Sequence, residues 1–480
     1  MSTHALEEIF NPQSIAVIGA RGSGAQGYDL YSSLLDYGYK GKIYPVNPKY
    51  SELLGIKAYP SLGEIPDSVD YVISCVSASG VLGILADCSQ KGVKCVHIYA
   101  ARFSETGRQE ATELEQEILK KARKSGVRLI GPNCRGIYNP RQGISFYNTL
   151  PKESGPVGLA SQTGGGAREI IRLASLRGIH FSKAVSYGNA LDLNECDFLD
   201  YLSQDLETKI IMMYIEGVKD GKRFFNVLRQ AASTKPVIII KGGRGKSGAR
   251  AVASHTASLT GSMEMWKTLV AQAGAISAKN FDEMVDLAVS FHFLPPITGA
   301  RVGIAPGGGG GRSVLAADQC EEAGLDVITL PTEIREELKS KGISTWDWIG
   351  NPIDVSQTIQ DVSFSTGDML QMMARNQNFD LLIAIIGEPP RKDQQEMSAE
   401  THLKQYKKLE ESKLKPLLAV VADTGPDIDN YDDWSWNLMR EVRTELRAAN
   451  IPIYPTIGRA ARAARKLIDY YQKRDSKLDS

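Results

Sequence analysis

The chain alternates short, uninterrupted apolar runs with longer stretches in which apolar and polar residues are mixed at helical spacing. A short apolar run predicts a strand that is buried on both faces, and such strands belong to parallel sheets covered by helices. The pattern therefore predicts an α/β protein. The predicted strands comprise residues 14–20, 42–46, 71–76, 94–99, 157–160, 210–215, 237–240, 302–305, 381–386 and 416–421.

Glycine-rich turns and a proline-containing linker at residues 293–298 divide the chain into three predicted domains. In the first, a strand, a Gly-rich turn and a helix follow one another over residues 14–36. This is the phosphate-binding unit of Rossmann-like folds, because small residues let backbone N–H groups approach a phosphate at a helix N-terminus. Similar units at 157–177 and 302–322 predict two flavodoxin-like domains. The predicted domains are residues 1–150, 151–295 and 296–480.

The end of the second predicted strand bears on the ligand of the first domain. A dinucleotide-binding fold carries an acidic residue there for the ribose hydroxyls, whereas this chain has Asn47, Pro48 and Lys49. NAD is therefore disfavoured, and Lys49 suits a ligand that carries more phosphate. A nucleotide-dependent dehydrogenase would also need a catalytic pair near the first domain, and none is present in its sequence.

The second domain begins with the turn 161–166, which precedes a helix predicted over residues 167–177. The N–H groups and the dipole of a helix N-terminus hold anions, and two hydroxyl side chains of the turn are further donors. The next strand ends at Glu216, whose carboxylate is expected at the same sheet edge. Capping of the helix that starts near Asp220 is the alternative role for Glu216.

The segment 241–262, KGGRGKSGARAVASHTASLTGS, follows an apolar strand and is predicted to be a glycine-rich loop that carries His255. In open α/β sheets this edge is where ligands bind. A neutral imidazole is a competent nucleophile toward a phosphoryl group when a carboxylate orients its other nitrogen and donors surround the phosphoryl group. Glu216 and the turn 161–166 would supply both requirements. The alternative is that His255 is a loop histidine with no catalytic role.

Composition narrows the class of function. The 480 residues are 42% hydrophobic and include 56 basic and 56 acidic residues, so neither nucleic acid nor an anionic membrane is expected as a partner. No apolar run approaches the roughly 20 residues of a membrane-spanning helix, and the start MSTHALEEIF does not resemble a secretory signal. We therefore expect a cytoplasmic protein. The 6 cysteines are scattered without a CxxC pair, which favours reduced core thiols over disulfides or a metal site.

Several stretches resemble one family. Four of them resemble the CoA-binding domain of the NDP-forming acyl-CoA synthetases, relatives of succinyl-CoA synthetase, namely SIAVIGA, GKIYPVNPKY, GVKCVHIYAARFSETG and GPNCRGI. The SQSG phosphate loop of that family is similar to GLASQTGGGA here, and its glutamate loop to YIEGVKDGKRF. Its SHTGALAGS segment, which carries a phosphorylated histidine, is similar to SHTASLTGS. The resemblance continues through NPIDV to IPIYPTIGRAARA and so covers nearly the whole chain.

The resemblance implies an α subunit of an ADP-forming acid–CoA ligase. The CoA-binding domain and two flavodoxin-like domains have counterparts here, whereas nothing resembles the ATP-grasp portion that holds Mg and the nucleotide. Carboxylic acid, ATP and CoA would react reversibly through a phosphohistidine and an acyl phosphate to acyl-CoA, ADP and phosphate. The implied partner is an ATP-grasp β subunit, in an α2β2 heterotetramer, that brings ATP/ADP and Mg. A catalytically idle CoA-binding regulatory or scaffold protein of the same fold is the alternative, and the intact phosphoryl-transfer motifs argue against it.

The resemblance also implies roles for individual residues. The catalytic pair would be His255 and Glu216, with Glu216 orienting the histidine and stabilising its protonated or phosphorylated form. The implied phosphate-binding residues are Ser161, Gln162, Thr163, Gly164 and Gly165. The implied CoA-binding residues are Gly19, Ala20, Arg21, Gly22, Asn47, Lys49, Val76, Ser77, Ala100, Ala101, Arg102 and Asn133.

Arg168 departs from the family pattern, since small residues are common at its place in close relatives. Arg168 and Arg172 are four residues apart and share one face of the phosphate-loop helix. A guanidinium prefers a carboxylate, sulfonate or phosphate, so Arg168 predicts an acid substrate with a second anionic group. The alternative is a solvated or salt-bridged arginine, with Glu169, Asp192 and Glu195 as possible partners.

Overall fold

The structure, a computed structural model, describes residues 4–22, 28–256, 262–305, 310–343, 350–352, 366–387, 395–421 and 434–478. The chain forms two compact units, Met1–Met284 and Val285–Ser480. Among the described residues, no helix is long and apolar enough to cross a membrane.

The first part of the Met1–Met284 unit is a five-stranded parallel sheet with a small antiparallel hairpin. Its strands are β1 (Ser14–Ile18), β2 (Lys42–Val46), the hairpin strands β3 (Glu52–Leu53) and β4 (Ile56–Lys57), β5 (Tyr71–Ser74), β6 (Cys95–Ile98) and β7 (Arg128–Ile130). Its helices are α1 (Glu7–Phe10), α2 (Tyr28–Tyr37), α3 (Val81–Lys91) and α4 (Gln109–Lys124). The sheet order is β2-β1-β5-β6-β7. The chain therefore changes direction across the sheet between β1 and β5, and such switch points are where doubly wound folds bind ligands.

A six-stranded sheet forms the second part of the same unit. Its strands are β8 (Gly136–Tyr138), β9 (Val157–Ser161), β10 (Phe181–Ser186), β11 (Ile210–Ile215), β12 (Val237–Lys241) and β13 (Ile276–Ser277). Its helices are α5 (Gly164–Ser175), α6 (Glu195–Gln204), α7 (Gly221–Thr234), α8 (Lys246–Thr256), α9 (Met263–Ala273) and α10 (Phe281–Phe293), the last of which continues into the other unit. The order is β13-β12-β11-β9-β10-β8, and only β8 is antiparallel to its neighbour. The second switch point therefore lies at the carboxyl ends of β9 and β11.

The Val285–Ser480 unit contains a four-stranded parallel sheet in the order β14-β15-β16-β17, whose strands are β14 (Val302–Ala305), β15 (Leu381–Ile386), β16 (Leu417–Val421) and β17 (Ile453–Tyr454). Its helices are α11 (Gly310–Glu322), α12 (Thr332–Ser340), α13 (Thr366–Arg375), α14 (Gln395–Ser412), α15 (Trp434–Ala448) and α16 (Ile457–Leu478). Asn351, the first residue of the NPIDV motif, donates from Nδ2 to the carbonyls of Val302 (2.8 Å) and Ile328 (2.9 Å). This side chain therefore ties the motif to the edge of β14.

The predicted fold class is confirmed, and each predicted strand is present within a residue or two. Sequence reasoning missed β10, because its sequence FSKAVS interrupts the apolar run with Lys183. That lysine is only 2% exposed and pairs with Asp205 (3.0 Å) and with the partly exposed Glu207 (2.7 Å), so its buried charge is balanced by two carboxylates. The strand β8 precedes the domain boundary predicted at residue 150 and yet pairs with β10. The chain before residue 150 thus contributes to both sheets of this unit.

Candidate active site

A cavity of about 770 Å³ opens at the switch point of the first sheet. The predicted CoA-binding residues that line it are Gly19, Arg21, Asn47, Lys49 and Val76. Sequence reasoning missed further lining residues, namely Tyr50, Pro60, Ser61, Leu62, Gly80, Gly83, Ile84 and Asp87. The sequence signal for these residues was the pair Gly80 and Gly83, three residues apart at the start of α3, where small residues leave room for a ligand. The predicted residues that do not line the cavity described here are Ala20, Gly22, Ser77, Ala100, Ala101, Arg102 and Asn133.

Two residues shape the floor of this cavity. Gly19 has φ +82°, and a Cβ placed there would lie 3.2 Å from Cγ1 of Val76, so this position requires glycine. Asn47 is buried, donates from Nδ2 to the carbonyl of Ala20 (2.8 Å) and accepts from the N–H of Lys49 (3.0 Å). The asparagine therefore holds the loop that presents Lys49 to the cavity, which explains the Asn-Pro-Lys sequence in structural terms.

The predicted CoA-binding residues at the ends of β6 and β7 lie at the junction with the second sheet. The N–H of Asn133 donates to the carbonyl of Ala100 (2.9 Å), and its side chain donates to Oδ1 of Asn189 (3.5 Å). Asn189 in turn donates to Oε2 of Glu105 (2.7 Å), and the N–H of Arg102 donates to the same carboxylate. These hydrogen bonds fix the carboxyl ends of the first sheet against the second, and the CoA role of these residues stays a prediction.

The phosphate loop connects β9 with α5, and the helix begins at Gly164, three residues before the predicted start. Thr163 caps it by accepting from the N–H of Gly166 (3.5 Å), and the hydroxyl of Ser161 donates to the carbonyl of Thr163 (2.8 Å). The hydroxyl proton of Ser161 is therefore used within the turn, whereas Thr163 contributes only its oxygen there and can still donate its O–H. The helix-initial N–H groups of Gly164 and Gly165 have no partner within the helix and are also available to an anion.

Gln162 joins the phosphate loop to the turn that carries Glu216. Its side-chain oxygen accepts from the N–H of Glu216 and from the N–H of Gly217 (2.9 Å), while its Nε2 is buried without a hydrogen-bond partner. Glu216 is 4% exposed, and Oη of Tyr214 donates to its carboxylate (3.3 Å). The predicted phosphate-binding residue and the predicted catalytic carboxylate are therefore neighbours. The cap of α7 is Asp220, which accepts from the N–H of Arg223 (2.9 Å), so the alternative role of Glu216 is wrong.

Two further buried groups that sequence reasoning missed hold the same turn. Glu195 accepts from the N–H of Lys219 (2.8 Å), and burial raises the pKa of its carboxyl group. The ammonium of Lys241 donates to the carbonyls of Glu216 (2.6 Å) and Gly242 (2.7 Å), and burial lowers the pKa of this lysine. No local sequence signal distinguishes these residues, because their role depends on tertiary contacts.

The segment that carries His255 leaves the sheet beside Glu216. Lys241, the last residue of β12, is in register with Ile215, and the N–H of Gly242 donates to the carbonyl of Ile215 (2.8 Å). A Cβ on Gly242 would lie 2.7 Å from Oη of Tyr214 and 3.2 Å from Cγ of Glu216. The glycine thus lets the segment pass close to the carboxylate, and the segment begins at the sheet edge where Glu216 lies, as predicted.

The prediction of a loop around His255 is wrong in part. Residues Lys246–Thr256 form α8, which includes the backbone of His255, whereas residues 257–261 lie outside the described ranges. The glycines and serines suggested a loop, but alanines at 249, 251 and 253 have the highest helix propensity and favour a helix. Helix α8 packs against the 3-10 turn Ser104–Thr106, at the junction of the two sheets.

Arg168 lies in the first turns of α5 and is exposed. Its guanidinium carbon lies 4.8 Å from the ring centroid of Tyr147. Asp192 instead pairs with Arg128 (2.8 Å), and Glu195 holds the turn described above, so neither is the salt-bridge partner that was considered for Arg168. Within the described ranges, Arg168 forms no ion pair.

A second arginine, which sequence reasoning missed, contacts the same ring. The guanidinium carbon of Arg135 lies 4.6 Å from the centroid of Tyr147 and 5.1 Å from that of Tyr99. Its Nη1 is buried without a hydrogen-bond partner. A Cβ on Gly164 would lie 2.5 Å from Cγ of Arg135, so the arginine stem packs directly on the first residue of α5. The only sequence signal for Arg135 was its position in GPNCRGI, a motif at the carboxyl end of β7.

No group of three or more His, Cys, Asp or Glu side chains that could hold a metal ion is found in the part of the chain that the structure describes. The cysteines, all of which lie in described segments, are free, and every one except Cys75 is buried.

Comparison with known proteins identifies two family models. Residues 13–140 match a CoA binding domain, and residues 154–291 match the succinyl-CoA ligase like flavodoxin domain. The alpha subunit of acetate–CoA ligase (ADP-forming) II from Pyrococcus furiosus is 38% identical over 381 residues, which are 79% of this chain and 82% of that protein. A trans-feruloyl-CoA synthase from an unknown prokaryotic organism is 30% identical over 485 residues, covering 99% of this chain and 66% of that protein.

The fold is also found among solved structures. The dinucleotide forming acetyl-coenzyme A synthetase 1 of Ca. Korarchaeum cryptofilum, in complex with phosphate and ADP, superposes with a TM-score of 0.80. The alignment has 29% sequence identity and covers 99% of this chain and 98% of that chain.

Another relative is longer than this chain. The ADP-forming acetate–CoA ligase of Methanocaldococcus jannaschii is 39% identical over 355 residues, which are 73% of this chain but only 49% of that protein.

Proposed function

The chain belongs to the NDP-forming acyl-CoA synthetases and is related to the α subunits of the ADP-forming enzymes. We propose that it binds CoA and carries the phosphorylated histidine of an acid–thiol ligase. The proposed reaction converts a carboxylic acid, CoA and ATP into acyl-CoA, ADP and phosphate. The observation that supports it best is the meeting of Gln162, Glu216 and Gly242. It brings together the phosphate loop, a buried carboxylate and the start of the segment that carries His255.

The proposed phosphoryl transfer uses these groups in sequence. An imidazole nitrogen of His255 attacks the γ-phosphorus of ATP, and ADP leaves as the P–O bond breaks. The carboxylate of Glu216 stabilises the positive charge that the imidazole acquires. The first N–H groups of α5 hold the phosphoryl oxygens. An oxygen of the substrate carboxylate then attacks phosphorus, the P–N bond breaks, and an acyl phosphate remains at the helix N-terminus. The sulfur of CoA then attacks the acyl carbon, the C–O bond to phosphate breaks, and the same N–H groups stabilise the phosphate as it leaves.

Three features of the cavity at the first switch point support its proposed role as the CoA site. It is large, it lies at a glycine-lined sheet edge, and Arg21 and Lys49 offer positive charge for phosphates. Gly19 lines the cavity without a side chain, so a ligand can approach the backbone closely at this position. CoA supplies the thiol that accepts the acyl group. We propose that ATP and Mg reach His255 through an ATP-grasp β subunit, in an α2β2 assembly.

We also propose that the acid carries a second anionic group. Arg168 supports this proposal, because its guanidinium lies near the N-terminus of α5 and forms no ion pair within the described ranges. A planar fork of donors at that place suits a carboxylate or sulfonate better than the methyl group of acetate.

Phosphorylation tests the proposal. With an ATP-grasp partner, Mg and γ-labelled ATP, the chain should acquire an acid-labile, base-stable label, since phosphohistidine has this stability. The label should vanish in His255→Ala and persist in the control His292→Ala. In Glu216→Gln labelling should weaken while CoA binding remains, because the cavity is formed by the other sheet. Label that survives in His255→Ala would disprove the assignment.

A further inference from the structure

Arg135 is held in place by contacts from both sheets of the Met1–Met284 unit. Its N–H donates to Oγ of Ser186 (3.2 Å), and its stem packs on Gly164 at the start of α5. Its guanidinium lies against the rings of Tyr99 and Tyr147, at 5.1 and 4.6 Å from their centroids. Contacts of this kind restrict the guanidinium without neutralising it.

Tyr147 is itself fixed. The hydroxyl of Ser145 donates to the carbonyl of Tyr147 (2.7 Å) and accepts from its N–H (3.3 Å). The ring of Phe146 lies edge-on to that of Tyr147, with 5.7 Å between centroids. The ring that Arg135 and Arg168 share is therefore anchored by its own backbone, and the two guanidinium groups lie 4.6 and 4.8 Å from its centroid.

The charge at this place is unbalanced. Within the described ranges, neither Arg135 nor Arg168 forms an ion pair with a carboxylate, and Nη1 of Arg135 is a buried donor without an acceptor. The N-terminus of α5 adds the positive end of a helix dipole. A buried donor without a partner is costly, and two guanidinium groups beside the same ring repel each other. An anion with several oxygens relieves both costs at once.

The backbone N–H groups of Gly164 and Gly165 can hold the phosphoryl group, as in other anion sites at helix N-termini. The two arginines therefore remain for a different anionic group. We infer that Arg135, together with Arg168 and Tyr147, forms a subsite that binds a carboxylate or sulfonate carried by the acid substrate away from its reacting carboxylate. This inference rests on the proposed function, and it adds Arg135 as the principal specificity-determining residue.

Substrate selectivity of the enzyme reconstituted with its partner is the first test. Succinate and 3-sulfopropionate provide a second anion, whereas acetate, 4-hydroxybutyrate and trans-ferulate do not. The ratio of kcat/KM for the dianionic acids to that for the monoanionic acids should fall about 10- to 100-fold in Arg135→Gln, because a bidentate, charge-assisted contact is lost. Arg135→Lys should restore part of the ratio. Arg172→Gln, which removes an exposed arginine on the same helix, should leave it unchanged.

Ligand binding to the full chain alone is the second test, and it does not depend on turnover. Succinate should raise the thermal unfolding midpoint of the wild-type chain but not that of Arg135→Gln, and propionate should raise neither. If succinate raises the unfolding midpoint as expected but the reconstituted enzyme forms no acyl-CoA, the proposed function is refuted and the anion-binding subsite is still supported. An equal loss of kcat/KM for all acids in Arg135→Gln, or equal shifts with succinate and propionate, would overturn the inference and assign Arg135 to the phosphoryl group.

Discussion

Replacement of Gln162 by leucine should separate the positioning of Glu216 from its chemistry. Leucine has nearly the same volume but no acceptor, so the N–H groups of Glu216 and Gly217 lose their partner in a buried turn. An unsatisfied buried donor costs about 1–3 kcal/mol. The substitution creates two such N–H groups and removes one, Nε2 of Gln162, so the free energy of unfolding should fall by about 1–3 kcal/mol. A carboxylate displaced by about 1 Å should slow His255 phosphorylation on the order of 100-fold.

The assay compares urea unfolding midpoints and labelling rates of Gln162→Leu with those of Tyr214→Phe. The phenylalanine variant removes only the hydroxyl that donates to the Glu216 carboxylate and leaves both turn N–H groups bonded. Burial raises the pKa of Tyr214 to about 12, so this hydroxyl remains a donor throughout the assay range. Tyr214→Phe should change the free energy of unfolding by only about 1 kcal/mol. If Gln162→Leu has the same unfolding midpoint and labelling rate as the wild type, the hydrogen bonds of Gln162 to Glu216 and Gly217 do not position the carboxylate.

Three further outcomes are expected. Gly19→Ala should weaken CoA binding in calorimetry. The control Gly92→Ala introduces similar left-handed strain (φ +73°) with no atom within 4 Å of the new Cβ, so it should only lower the free energy of unfolding, by about 1–2 kcal/mol. Equal CoA affinity in the two variants would contradict a close approach of CoA to Gly19. The chain alone should bind CoA without ATP-dependent acyl-CoA formation, and Lys49→Ala should cost about 1 kcal/mol or more of CoA affinity. Burial lowers the pKa of His97 to about 4 from 6.5, so the unfolded state binds more protons between these values and stability should fall as pH decreases from 6.5 to 4. His97→Gln should lack this component of the pH dependence in urea titrations.

The fold was accessible from the sequence because its strands are continuous apolar runs. Val237–Lys241 and Leu381–Ile386, for example, stand out in any window of the chain and are buried along most of their length. The meeting of Glu216 with the His255 segment was also accessible, since the carboxyl ends of parallel strands share one edge. Residues that act through tertiary contacts were not, and Glu195 and Lys241 look like ordinary charged residues in their local sequence.

The helix that contains His255 shows why local composition can mislead. Glycine at 245 and 248 and serine at 247 and 254 suggest a loop, whereas three alanines favour a helix. Gly248 is tolerated in α8 beside Gly243, with 3.3 Å between a Cβ at position 248 and the Cα of Gly243. The close approach of these two backbones explains the glycines, and it is a property of the folded chain that no window of sequence contains.

The proposed subsite around Arg135 predicts that selectivity for a dianionic acid cannot be transferred to a relative by one substitution. Its charge comes from a motif of the first sheet, its backbone is held by Ser186 of the second, and its guanidinium direction depends on Tyr147. An arginine introduced at this place in a relative without the tyrosine would be free to turn to solvent, where an ion pair contributes little. Conversely, Tyr147→Ala should lower the preference for succinate over acetate even though both arginines are intact. Retention of the full preference in Tyr147→Ala would show that the ring does not orient the arginines.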